Sequence, residues 1–459
     1  MKKRRIDLVI ILVLQFAILM VAAVCKKGDT EPEGPDDTYV INENPFAKVP
    51  ATKDITMYQV NFKAFSSATN IKGVTARLDS IKNMGINVIW LMPIHPIGTI
   101  NSVNSPYSVK NYIEVNPSLG TLEDLRILVS KAHDREMAVI LDWVANHTAW
   151  DNPWIQNVSW YSQDSNGNII SPPGTNWQDV ADLNYSNSQM RLEMITSMKY
   201  WITEANIDGF RCDAADFVPF DFWKQAIDSL NNMPGRNLIL LAEGTRDDHF
   251  TAGFQLNYGW DFNTEIRAVF AAHSASGLFT VDNSEYDGIP SGCHKLRYIT
   301  NHDIFAWEGS VTELYGNEKG SVVAFIIVSF LNGVPLIYDG QEIAYSDRIS
   351  FFDSNPLNWN LNPDIYSEYK NIMSVRRSLV AIKSGGIIAY NDNDIAVFKR
   401  FYENDEVLIM VNVRSTTINY AIPEALANTN WKNVLDNTVI TLNTGYSFNP
   451  YEYLILQNE

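Results

Sequence analysis

Between residues 55 and 382, short apolar runs alternate with amphipathic segments, and no other feature of the chain restricts its fold as strongly. Apolar or β-branched runs lie at Thr56–Val60, Asn87–Met92, Met137–Val144, residues 207–213, Leu238–Glu243, Leu296–Thr300 and Val334–Tyr338. Val74–Met84, Leu122–Arg135, Ser188–Ala205 and Phe222–Leu230 carry helical spacing between them. Strands that alternate with helices build a parallel sheet. Eight such units over about 330 residues suit a closed (β/α)₈ TIM barrel. An open doubly wound sheet is the alternative, but no Gly-x-Gly-x-x-Gly follows any of these strands.

Two regions depart from the alternation. Residues 148–182 are poor in periodicity and rich in aromatics, with Trp150, Trp154, Trp160, Tyr161 and Trp177. A long segment leaving a barrel strand reads as a small inserted domain after strand 3, its aromatics either packing that insert or offering flat faces to a ligand. From residue 383 the helical spacing stops. Ile395–Tyr402, Val407–Val413, Thr417–Ile422 and Tyr451–Leu456 alternate like half-buried strands, which predicts a C-terminal antiparallel β-sandwich.

Barrel sites form at the C-terminal ends of strands, so the residues there are the candidates. The third strand ends in Asp142, followed by Asn146 and His147. The fourth ends in Arg211 and Asp213, which share a face because they are two residues apart. Gly209, in the same strand, lets the backbone pass close to a neighbour. The fifth runs into Glu243, and a later strand runs into Asn301-His302-Asp303. Acids gathered at one mouth raise each other's pKa. Arg211 should keep Asp213 ionised, while the apolar strand before Glu243 should keep that acid protonated. One ionised and one protonated carboxylate about 5 Å apart are the equipment of a retaining glycosidase.

These motifs, in their order, resemble the four sequence regions of the α-amylase family: Asp142…Asn146-His147, Gly209-Phe210-Arg211…Asp213, Glu243 and Asn301-His302-Asp303. Residues 91–98, 105–112 and 181–184 are similar to that family as well, as are residues 333–342. The resemblance implies hydrolysis of α-glucosidic bonds in starch, maltodextrins or maltooligosaccharides. It implies Asp213 as nucleophile, Glu243 as acid/base and Asp303 as transition-state stabiliser. Tyr107, His147, Arg211 and His302 would bind the reacting sugar, and Asp142 would orient its neighbours. His95 reads as structural. Asn146 and Asp182 match two of the family's calcium ligands, and oxygen donors suit that ion. Many members carry Lys-His three and four places after the nucleophile, where this chain has Asp216-Phe217, so binding on the leaving-group side should differ. Transglycosylation, exo-action or α-1,6-action by the same residues stays open. A non-catalytic transporter partner is disfavoured because all three carboxylates are present.

The N-terminus supplies the expected location. Lys2-Lys3-Arg4-Arg5 precedes an apolar run from Leu8 to Val24, closed by Cys25. A basic segment followed by an apolar one is an export signal. Its end at Cys25 resembles a bacterial lipoprotein signal, with an uncleaved anchor helix or ordinary secretion as alternatives. The expectation is therefore a protein of the cell envelope, held at the membrane through residues 1–25 by a flexible linker over residues 26–54. The formal net charge of −18 argues against nucleic acid as a partner. With Cys25 in the leader, Cys212 and Cys293 make no disulfide framework.

Overall fold

The computed structural model describes residues 44–67 and 70–458. The signal expected at residues 1–25 and most of the linker expected at 26–54 lie outside the described residues.

Eight parallel strands close a barrel: β1 Met57–Val60, β2 Val88–Leu91, β3 Ala138–Val144, β4 Gly209–Asp213, β5 Ile239–Ala242, β6 Leu256–Tyr258, β7 His294–Arg297 and β8 Val334–Tyr338. Each pairs with its neighbours in sequence, and β8 closes on β1 through Met57 opposite Leu336. Strand side chains alternate faces. Met57, Val88, Trp90, Ala138, Ile140, Ile239, Leu241, Leu256, Tyr258, Leu296, Val334 and Leu336 fill the barrel interior. The intervening residues, such as Tyr58, Ile89, Leu141 and Phe210, pack outward with the helices. The helices form for local reasons. Leu122–Asp134 starts at a capping box in which Thr121 and Asp124 satisfy each other's backbone donors, and it buries Leu125, Leu128, Val129 and Ala132 along one face.

Gly209 has φ +147°, and a Cβ there would lie 1.9 Å from the Ile239 carbonyl oxygen. Only glycine lets β4 and β5 meet. Two expectations need correction. The seventh strand spans His294–Arg297 rather than Leu296–Thr300, so Asn301-His302-Asp303 follows the strand after a short turn. The sixth strand, Leu256–Tyr258, falls outside the expected runs, because three residues bearing Asn257 and Tyr258 give too brief an apolar signal.

The segment after β3 folds on a two-stranded ladder, His147–Ala149 against Val180–Asp182. Trp154 packs on Tyr112 and Trp160 at ring distances of 4.8 and 5.4 Å, and the buried Tyr161 bonds the Thr148 hydroxyl. These aromatics pack the insert itself. Trp177 is different: it turns toward His147 and Phe217.

The C-terminal region is a six-stranded antiparallel sheet in the order 386–390, 395–402, 405–412, 453–458, 429–433 and 439–442, with a two-stranded pair, Ile418–Ala421 and Gly445–Phe448. Val397, Leu408, Trp431 and Phe448 pack between its layers. Phe398, Ile409 and Val411 face the barrel helices.

Candidate active site

The inward rows of β3, β4 and β5 continue past their apolar residues into charge. Ile140 is followed two places on by Asp142, Gly209 by Arg211 and then Asp213, and Leu241 by Glu243. Registers place Asp142 beside Arg211 and Val144 beside Asp213. Arg211, wholly buried, ties the group together. Its Nη1 meets Asp142 at 2.6 Å and Asp213 at 2.8 Å, its Nη2 pairs with Glu243, and its Nε donates to the Tyr258 hydroxyl at 3.3 Å.

One guanidinium among three carboxylates leaves an excess of negative charge in a dry place. Burial pushes Asp213 up to about 6 against the pull of Arg211, with Asp142 and Asp303 adding to the rise. Burial pushes Glu243 up to about 8, again against Arg211, with Asp213 and Asp303 adding. Asp142 rises to about 6, mainly through burial. Arg211 does pull Asp213 down, as expected, but desolvation outweighs the cation and leaves the carboxyl above its usual value. The expected order survives: near neutrality Asp213 is mostly ionised and Glu243 mostly protonated.

A hydrogen-bond chain orients the rest. Gln59 Nε2 donates to His302 Nδ1 at 2.8 Å, His302 Nε2–H donates to the Tyr107 hydroxyl at 2.8 Å, and Tyr107 donates to Asp142 Oδ2 at 3.1 Å. Trp90 Nε1 also donates to that oxygen at 3.1 Å. Asp142 is therefore an orienting acceptor. Burial lowers both His302 and His147 to about 4, which keeps these imidazoles neutral. Asp303 is nearly half exposed, 3.4 Å from His302 Nε2, at the start of a π-helical turn, Ile304–Glu308. Such turns are frequent at functional sites. His95 packs against Tyr112, Trp143 and Trp201, away from the mouth.

Asp216 is fixed by the loop after β5. Its carboxylate accepts from Thr245 N at 3.1 Å and Arg246 N at 3.3 Å. Ala214, between nucleophile candidate and Asp216, adopts φ +44° and donates its N–H to Glu243 Oε2 at 2.7 Å. A non-glycine residue held there is strained, and the strain aims its N–H at the acid. Phe217 then stands 55% exposed with its ring 5.7 Å from Trp177.

The structure therefore brings Tyr107, Asp142, Arg211, Asp213, Glu243 and His302 into one bonded cluster, with Asp303 against His302 and His147 bonded to the Tyr107 backbone. Sequence reasoning missed Gln59, Trp90, Ala214 and Tyr258. Gln59 left a faint signal, as the single amide in an otherwise apolar strand.

Asn146 and Asp182 share the wall of a cavity of about 420 Å³, and Arg191 lines it too. The Asn146 amide nitrogen lies 3.3 Å from His147 Nδ1, and Asp182 accepts from Ser162. Calcium takes six to eight oxygens, usually with several carboxylates. Two carboxylates line it, Asp182 and Asp221, but Arg191 already pairs with Asp221 at 2.7 Å, and among the described residues no three His, Cys, Asp or Glu side chains could hold a metal.

The α-amylase catalytic-domain family model matches residues 53–168 and 175–371. "Alpha-amylase 3" of Dictyoglomus thermophilum is 26% identical over 79% of this chain and 85% of its own length. "Alpha-amylase 2" of the same organism is 26% identical over 75% of this chain, which spans 64% of that relative. A noncanonic maltogenic α-amylase, AmyB of Thermotoga neapolitana, superposes with a TM-score of 0.79 at 27% identity, covering 88% of this chain and 99% of AmyB. The family model spans the barrel strands that carry every residue of the cluster, and the chain belongs to the α-amylase family.

Proposed function

We propose that this enzyme hydrolyses α-glucosidic bonds of starch, maltodextrins or maltooligosaccharides with retention of anomeric configuration. The observation that carries the reading is the bridge of Asp213 and Glu243 by the single Arg211 guanidinium. One guanidinium brings the two carboxylates together, and retaining enzymes hold such a pair about 5 Å apart, where inverting ones leave room for a water between them. In the first step the Asp213 carboxylate attacks the anomeric carbon while Glu243 gives its proton to the leaving oxygen. The glycosidic C–O bond breaks and a glycosyl ester forms on Asp213. In the second step Glu243, now ionised, takes a proton from water as that water attacks the ester. Asp303 grips sugar hydroxyls more strongly as positive charge develops on the ring. Neutral His147 and His302 bond the same ring, and Tyr107 stacks beneath it.

Phe217 stands exposed four places after Asp213 with its ring 5.7 Å from Trp177, and this reading places the leaving sugar against them. An apolar platform there, with the Asp216 carboxylate held by backbone N–H groups, supports a second outcome. A sugar hydroxyl held on the platform replaces water, and the product is a transferred glucan.

The enzyme is read as exported and membrane-held through Cys25, on the strength of the basic and apolar residues before it. Labelled fatty acid should enter the wild-type chain and not Cys25→Ala.

The products from maltoheptaose and soluble starch, resolved by size and time, test the activity. Wild type should release shorter oligosaccharides. Asp213→Asn should lose about 10⁴-fold or more in kcat with unchanged circular dichroism. Full turnover in that variant removes the nucleophile assignment. Products longer than heptaose favour transfer.

A further inference from the structure

The opposite end of the barrel holds a second polar cavity, of about 470 Å³, where β7 and β8 begin beneath the C-terminal sheet. Lys53, His294, Arg376, Lys383 and Arg400 line it, and among the described residues no aspartate or glutamate does. In a chain of net charge −18 this is not a product of composition. Arg376 and Arg400 are each 3% exposed. Their partners are neutral. Arg376 donates to the carbonyls of Ser329 at 2.5 Å and Gly333 at 3.1 Å. Arg400 donates to the Leu331 carbonyl, to Asn332 Oδ1 at 2.9 Å and to the Gly385 carbonyl at 2.7 Å. Arg400 Nε is buried with no hydrogen-bond partner among the described residues.

The acids nearby are already engaged. Asp54 holds Lys383 at 3.0 Å, while Asp282 meets Arg297 and Asn332, each at 2.7 Å. Burial pulls Arg376 and Arg400 down only to about 10, so both are cations at neutral pH. A structural role accounts for part of this. Residues 329–333 end and follow helix Glu318–Phe330, and the negative end of a helix attracts cations. That role uses neither Arg400 Nε nor the charge of Lys53, whose Nζ donates to Ser384 Oγ at 2.9 Å. Uncompensated buried cations are costly, and planar guanidinium forks match tetrahedral oxyanions.

We propose that this cavity binds a phosphate-class oxyanion between Arg376 and Arg400, with Lys53 and Lys383 at its rim. The volume exceeds a bare phosphate and leaves room for an organic part the size of a sugar ring. Because its walls come from the barrel and from the C-terminal sheet, the bound anion holds the two together.

Thermal unfolding of the full chain against inorganic phosphate, against glucose 6-phosphate, and against sodium chloride at matched ionic strength tests this. Tm should rise saturably with phosphate and not with chloride. Tighter binding of glucose 6-phosphate makes an organic phosphate the ligand, and equal binding makes it the free ion. Arg400 staples the fold, so the deciding variant is Lys53→Gln/Lys383→Gln. It should weaken phosphate about tenfold, because two charges at the rim are lost, while Tm without phosphate stays within about 2 °C. Absence of a saturable shift, a shift that chloride reproduces, or unchanged affinity in the double variant overturns the proposal.

Discussion

Buried arginines stand at both ends of this barrel, and their company differs. At the mouth, Arg211 faces three carboxylates, Asp142, Asp213 and Glu243. At the base, Arg376 and Arg400 donate to carbonyls and to the Asn332 amide oxygen, and to no acid among the described residues. Near that base Arg297 shows an intermediate case, one guanidinium between two acids, Asp282 at 2.7 Å and Glu285. An excess of buried carboxylate is relieved by keeping a proton, which is what acid catalysis at neutral pH needs. An excess of buried guanidinium has no such escape, since arginine does not give up its proton in this range. It must be met by dipoles or by an anion. The mouth is thus built to titrate, and the base to hold.

Substitutions sharpen the contrast in descending order of effect. Glu243→Gln should cut kcat/KM on maltooligosaccharides by about 10²–10⁴-fold. It should cost far less on maltosyl fluoride, whose leaving group needs no proton. Equal losses on both substrates would remove Glu243 as the acid. Arg211→Met should destabilise by about 3–5 kcal/mol, because it leaves buried carboxylates uncompensated. In wild type, kcat/KM should climb through the Asp213 value of about 6 and fall through the Glu243 value of about 8. Without the guanidinium both values rise, so both limbs of the profile should move to higher pH. An unmoved profile would mean that Arg211 does not set these protons. Arg400→Gln is the counterpart at the base. It should cost about 1–3 kcal/mol in denaturant unfolding through unsatisfied carbonyls and leave the pH profile unchanged. A shifted profile would tie the two ends together and break the comparison.

The barrel was legible because most of its strands are apolar runs followed by helical spacing. The mouth was legible because period two carries the inward row into Asp142, Arg211, Asp213 and Glu243. The sixth strand was hidden by its three-residue length. The Gln59–His302–Tyr107–Asp142 chain was hidden because it joins β1, β3 and two loops, and sequence spacing says nothing of such closures. Ala214's left-handed backbone was hidden too, since alanine rarely signals it. The base cavity was invisible for a related reason: Lys53, His294, Arg376 and Arg400 are each unremarkable in sequence and meet only when the sheet docks on the barrel.

The central claim is that Asp213 and Glu243 work as a retaining pair. Proton NMR of the sugar anomers in the first minutes of maltoheptaose hydrolysis, before mutarotation, tests it most directly. The α-anomer should appear first and the β-anomer grow in later. A β-anomer appearing first would mean direct attack by water, and would contradict the covalent role given to Asp213.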